Sequence, residues 1–158
     1  MPKKIILALA ALAVSASALN AAHAQQALKP EQAIKYRQAA YSYISWNMSR
    51  IKNNVEGANY NKSEVIQAAS AISAIANSGM GALYIPGSEK DAGGVKTFVK
   101  PEFFSKPQEV ARLAQNFTKE AAELARVAAS GDAAAVKAQH GKLGGTCKAC
   151  HDDFKVRN

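Results

Sequence analysis

The chain has 158 residues and a mass of 16.7 kDa, with 48% hydrophobic and 20% charged residues. That balance fits one small globular domain and excludes a disordered or collagen-like chain. Twenty Lys and Arg against 12 Asp and Glu give a formal +8, which taken alone would suit nucleic acid or an acidic membrane.

Residues 1–24 read as a secretory signal peptide: Lys3 and Lys4, an apolar run at 5–14, then the small-x-small site Ala22-His23-Ala24 before Gln25. The run is too short for a spanning helix, which needs about 20 residues, and nothing later comes close, so a soluble periplasmic domain at 25–158, with no membrane insertion, is expected. Cleavage leaves 134 of the 158 residues and removes two lysines and no acid, lowering +8 to +6. The remaining basic residues are scattered singly and form no stripe for a phosphate backbone, so no nucleic-acid partner is expected. Export would normally turn two cysteines into a disulfide. Cys147 and Cys150, however, would close a loop too short to remove much chain entropy, so a structural bridge would stabilise little.

Helical periodicity dominates the rest. The first helix is expected at about 30–54, with Pro30 at its first position and Glu31 at the positive end of its dipole. Its 3,4-spaced stripe is Ile34, Arg37, Tyr41, Ile44, Met48, Ile51 and Val55, apolar except at Arg37. Asn61-Lys62-Ser63-Glu64 has the form of a capping box opening the second helix, which should end near Gly79. Residues 79–100 then hold five of the ten glycines and Pro86, a connection long enough to cross a bundle. A short helical turn at 101–104 precedes a third helix at about 107–129 with the stripe Val110, Leu113, Phe117, Ala121, Leu124 and Val127. Gly131 stops it and Asp132 caps a fourth, carrying Val136, Leu143, Cys147, Cys150 and Phe154 on one face. Four such helices with two tight turns and one long connection define an all-α, antiparallel four-helix bundle.

Cys147-Lys148-Ala149-Cys150-His151 is C-x-x-C-H, the attachment signature of c-type haem. At helical spacing the two thiols and the imidazole meet one flat ligand: the thiols bond its vinyl edge and His151 reaches the iron as axial ligand. A thiol redox pair is the competing reading, but it belongs to a βαβ context absent from this pattern. A zinc site would lack a fourth ligand, with His140 the one remaining candidate of the mature chain. Haem would add apolar area that a 134-residue core lacks, so the haem-free chain is expected to fold poorly. Arg37 on an apolar stripe calls for an anion, which a haem propionate would supply; snorkelling to the surface is its other reading.

With this motif so close to the C-terminus, and with Lys35-Tyr36-Arg37-Gln38 and Leu83-Tyr84-Ile85-Pro86-Gly87 before it, the mature chain resembles cytochrome c′, the class II c-type cytochromes. Trp46-Asn47-Met48 and the stretch 75–81 are similar to forms from purple sulfur bacteria. The resemblance implies one covalent haem c per chain, a five-coordinate iron held by His151, and Tyr41 covering the opposite face with Ile44 and Tyr84 as pocket neighbours. It places Arg37 and Gln38 at the propionates, although an ordinary core aromatic remains the other reading of Tyr41. It further implies nitric oxide and carbon monoxide as ligands, an unidentified redox partner, and an antiparallel homodimer through the first two helices, for which Tyr43, Trp46 and Ile66 would form the apolar patch. Lys155 departs from the family, many members of which carry Arg there. Met48 reads as core filler and His140 as a surface or loop-side residue. A low-spin member acting as a dedicated electron carrier is the alternative, and no catalytic constellation points to an enzyme.

Overall fold

The computed structural model describes residues 27–156. Four helices build the bundle: α1 (Pro30–Glu56), α2 (Lys62–Ala76), α3 (Pro107–Ser130) and α4 (Ala133–Phe154). A 3-10 turn, Met80–Leu83, and a one-turn helix, Glu102–Ser105, punctuate the crossover between α2 and α3. Among the described residues the only β pairing is two isolated bridges.

The helix ends follow local chemistry. Gly57 ends α1 with its backbone so close to Asn53 that a Cβ there would meet the Asn53 carbonyl oxygen at 2.5 Å. Gly131 stops α3 in the left-handed region, φ 81°, which favours glycine. Asp132 Oδ1 accepts from the Ala134 and Ala135 amides at 2.9 and 3.1 Å and starts α4. The capping box forms by half. Asn61 Oδ1 accepts the Glu64 amide at 3.1 Å, but the Glu64 carboxylate turns away to Arg50 Nε and Asn54 Nδ2, each at 3.1 Å. The Asn61 amide donates to Asn54 Oδ1 at 2.8 Å instead. A tertiary ion pair therefore replaces the reciprocal arm of the box.

Ile44, Ile51, Val65, Ala68, Ala69, Ile72, Ala121, Leu124, Ala128, Val136 and Leu143 form the core. Its alanines let α2 and α3 approach closely, and each buried Leu or Ile contributes roughly 1.5–3 kcal/mol. Besides Arg37, two positions of α1 are polar and buried: Asn47 fully and Asn54 nearly so. Both turn an amide back to their own helix, Asn47 Nδ2 to the Tyr43 carbonyl at 2.9 Å and Asn54 Nδ2 to the Arg50 carbonyl at 3.0 Å. That local satisfaction offsets the cost of burying them.

Helices α1–α2, α2–α3 and α3–α4 pack tightly, whereas the α1–α4 seam that closes the ring is sparser. His140 bridges that seam, its Nε2 3.0 Å from the Met48 carbonyl oxygen. It is thus a half-buried mid-helix residue, not a loop-side one, because Gly144 and Gly145 are accommodated inside α4 without ending it.

The crossover is clasped to the end of α4. The Lys100 amide donates to the Phe154 carbonyl and the Val156 amide to the Phe98 carbonyl, both at 2.9 Å. Lys100 Nζ donates to the carbonyls of Asp152 and Asp153 at 3.1 and 3.0 Å, a cation at a helix C-terminus where the dipole is negative. The turn that carries the motif is held in place this way.

Candidate haem site

Cys147, Cys150 and His151 lie in the last two turns of α4, beside the sparse seam with α1. Both cysteines are half-buried free thiols. Burial holds each above the ordinary thiol range, and Cys147 pushes Cys150 further up, so both are protonated near neutrality. The imidazole of His151 is the most open of the three. Partial desolvation, then the Lys155 ammonium, hold its pKa below the usual value against the opposing Asp152 carboxylate. A neutral ring keeps its lone pair for a metal. Lys148 pairs with Asp152 on the outer face of the same turn. Three residues before Cys147, a Cβ at Gly144 would meet nothing within 4 Å, so α4 borders open space just ahead of the motif.

Tyr41 faces this turn from α1. It is the stripe position left most open, 41% exposed, and lies near enough to Cys150 and Cys147 for both thiols to raise its pKa, after burial. Tyr84, at the end of the 3-10 turn, donates its hydroxyl to the Tyr41 oxygen at 3.4 Å. Burial and Tyr41 drive the Tyr84 pKa far above the usual tyrosine value. Behind it stand Phe103, stacked at 4.2 Å between ring centroids, and Phe104 at 6.2 Å. Phe103 in turn meets Phe154 edge-on at 5.7 Å. An aromatic wall thus runs from the motif helix to Tyr41.

Arg37 is buried, 2% exposed, which excludes its surface reading. Nη1 donates to the Leu83 carbonyl at 3.1 Å and to Ser88 Oγ at 2.8 Å; Nη2 donates to the Ser88 carbonyl at 2.6 Å and to Thr97 Oγ1 at 2.8 Å. Its guanidinium also lies 4.8 Å from the centroid of Tyr84. All these acceptors are neutral, and Arg37 makes no ion pair among the described residues. Burial lowers its pKa from the ordinary guanidinium value. Gln38 Nε2 donates to the Lys96 carbonyl at 2.7 Å.

The structure therefore gathers Arg37, Tyr41, Tyr84, Cys147 and Cys150 at one place, with His151 following Cys150 on α4 and more exposed than either cysteine. Ile44 instead packs into the core, 4% exposed. Phe103, Phe104, Ser88 and Thr97 do not stand out in the sequence as site residues. The Phe103-Phe104 doublet is the one available signal, since serine and threonine in a glycine-rich connection look like solvent-facing residues. No group of three or more His, Cys, Asp or Glu side chains gathers as a metal site among the described residues, so the zinc reading has no ligand set.

Two free thiols and an imidazole at i, i+3 and i+4, an aromatic wall and a buried cation make a donor set that fits a covalently attached haem, and the fold and site together define a helical-bundle c-type haem protein. The family described as Cytochrome C' matches residues 32–155. Cytochrome c′ of Rhodocyclus tenuis is 57% identical over 130 residues, covering 82% of this chain and 98% of the relative. That of Allochromatium vinosum is 47% identical over 154 residues, covering 98% and 99%. A solved cytochrome c′ described by an unusual ligand-controlled dimer dissociation superposes with a TM-score of 0.81 at 51% identity, covering 82% of this chain and 98% of its own. A ferrous variant of the Alcaligenes xylosoxidans protein with bound NO gives 0.72 at 28% identity, over 82% and 98%. A carbon monoxide-bound variant gives the same values. The chain belongs to the cytochrome c′ family, and its haem c is bound through Cys147 and Cys150.

Proposed function

We propose that the mature chain, residues 25–158, is a periplasmic gas-binding haem protein, exported by the signal peptide at 1–24, which lies outside the described residues. The haem, once attached, supplies a five-coordinate high-spin iron that takes nitric oxide or carbon monoxide and exchanges single electrons with a partner not yet known. In this reading His151 is the axial ligand. Tyr41 covers the opposite face and must swing aside for a ligand to enter, a cost that selects against weak ligands such as water and dioxygen. Arg37 offers a buried positive charge with no anion paired to it among the described residues, and a propionate would complete it, with Gln38 alongside. Ile44 backs Tyr41 from the core side.

The observation that carries this reading over a low-spin electron carrier is where the other candidate ligands sit. Met48 packs against the core and His140 is committed to the Met48 carbonyl, while Tyr41 is the side chain beside the two cysteines. Resonance Raman and visible spectra of the ferric protein test it. High-spin, five-coordinate marker bands are expected, and a six-coordinate low-spin spectrum with a Met or His ligand would overturn the open-site reading.

A homodimer through α1 and α2 accompanies this function. Tyr43 and Trp46 are 48% and 52% exposed on the outer side of α1, their rings 5.3 Å apart, and Arg50 lies 4.7 Å over the Trp46 ring. Ile66 on α2 is half-buried and packs against the core. Exposed aromatics of this kind are enriched at protein interfaces. Sedimentation of the ferrous protein with and without carbon monoxide should show a dimer that weakens when the ligand displaces Tyr41. An unchanged oligomer would separate gas binding from assembly.

A further inference from the structure

Resting on the reading that Tyr41 covers the iron, we infer that Tyr84 is the positioning residue that latches Tyr41 in its covering position, through the hydrogen bond between their hydroxyls.

The two phenols are held very unequally. Tyr84 is fixed on several sides. Its amide donates to the Gly81 carbonyl at 3.1 Å, closing the 3-10 turn. Its ring stacks on Phe103 at 4.2 Å with an interplanar angle of 21°. The Arg37 guanidinium lies 4.8 Å from its centroid, while the same arginine holds the preceding Leu83 carbonyl. Arg37 is in turn tied to Ser88 and Thr97, so displacing Tyr84 would disturb the crossover as a whole. Tyr41 projects from α1, is 41% exposed, and has the Tyr84 hydroxyl as its one side-chain hydrogen-bond partner among the described residues. A rotamer change at Tyr41 breaks that bond and no other.

An anchored donor and a movable acceptor make a latch. Burial keeps the Tyr84 phenol protonated far above neutral pH, so it remains a donor throughout the working range. At 3.4 Å the bond is longer than ordinary hydroxyl–hydroxyl hydrogen bonds and therefore weak. It is weak enough to be released when a ligand enters, and every ligand must release it. Tyr84 therefore adds a fixed increment to the cost of opening, which a strong ligand absorbs and a weak one does not. The anchoring through Arg37 gives that buried charge a second role, setting the stiffness of the latch as well as the shape of the crossover.

Tyr84→Phe, Tyr41→Phe and the double variant of the holoprotein test this, because each phenylalanine keeps the ring and its stacking and removes only the hydroxyl. Carbon monoxide association to the ferrous protein after flash photolysis should be faster by roughly threefold, and at most tenfold, in each single variant. The double variant should be no faster than either, since both lose the same bond. Ultraviolet resonance Raman of the ligand-free protein gives an independent readout: in each single variant the native-minus-variant difference should show the remaining partner losing its hydrogen bond, beyond the loss of the replaced tyrosine. Tyr41→Ala, which removes the cover itself, should open the iron further than either. If Tyr84→Phe matches the native protein in rate and its Raman difference shows only the loss of one tyrosine, while Tyr41→Ala is faster, the latch is wrong and the covering role of Tyr41 stands. Additive effects in the double variant also overturn the latch. If Tyr41→Ala leaves the rate unchanged, the covering role fails and the latch falls with it.

Discussion

A terminal nitrogen of Arg37 lies 2.6 Å from the main-chain oxygen of Ser88, 51 positions further along the chain. With the bonds to Ser88 Oγ, Thr97 Oγ1 and the Leu83 carbonyl, one side chain of α1 orders a crossover rich in glycine. Arg37→Met removes four donor contacts and leaves buried acceptors unpaired, so a loss of about 3 kcal/mol is expected in denaturant unfolding. Arg37→Lys should recover little, because a single ammonium cannot span acceptors placed for a planar fork. Amide exchange over residues 84–97 should accelerate in both variants. Protection equal to native would show that the crossover is ordered by other contacts.

Cys147 and Cys150 predict a graded loss of attachment. Each single Cys→Ala variant should hold its haem by one thioether, seen as a shifted pyridine haemochrome band. The double variant should release haem into acidic acetone. The haem-free chain should unfold less cooperatively than the holoprotein, since the α1–α4 seam is already the sparse side of the bundle.

Glu64 gives stability a pH dependence of known sign. Its pKa is held below the ordinary carboxylate value because its carboxylate accepts first from Asn54 and then from Arg50. A depressed folded pKa means that the contribution is fully present above the unfolded-state value and is lost as pH falls through the folded one. Melting curves of Glu64→Gln should differ most from native above the ordinary carboxylate pKa and converge with it as pH falls through the lowered folded-state value. A gap that persists unchanged into acid would mean that the charge of Glu64 is irrelevant.

Tyr60 predicts the opposite of the usual truncation. Its hydroxyl is buried without a hydrogen-bond partner, the one such side-chain atom among the described residues. Removing an unsatisfied buried hydroxyl relieves a desolvation cost of about 1–3 kcal/mol. Tyr60→Phe should therefore raise the melting temperature or leave it unchanged. A clear drop would reveal a partner such as an ordered water.

Much of this molecule is written locally. The starts and stops of α1, α3 and α4 are legible because Pro30, Gly131 and Asp132 act on amides or carbonyls within one turn. The C-x-x-C-H spacing needs only a helix to bring its three side chains together. What the linear chain does not show are contacts made across it. The place of Arg37 on the apolar stripe points to its burial. Its partners are not legible, because they lie 46 to 60 positions away on a segment with no periodicity of its own. Glu64 has the spacing of a reciprocal cap, yet an arginine and an asparagine on the neighbouring helix offer it stronger bonds. Ile44 and Tyr41 belong to the same stripe and are only three residues apart. The small rotation between them sends one into the core and leaves the other facing the motif turn of α4. Capping and periodicity are short-range and survive in the sequence. Which residue meets Tyr41 across the seam depends on how four helices and a long crossover settle against one another, and that is decided only when they pack.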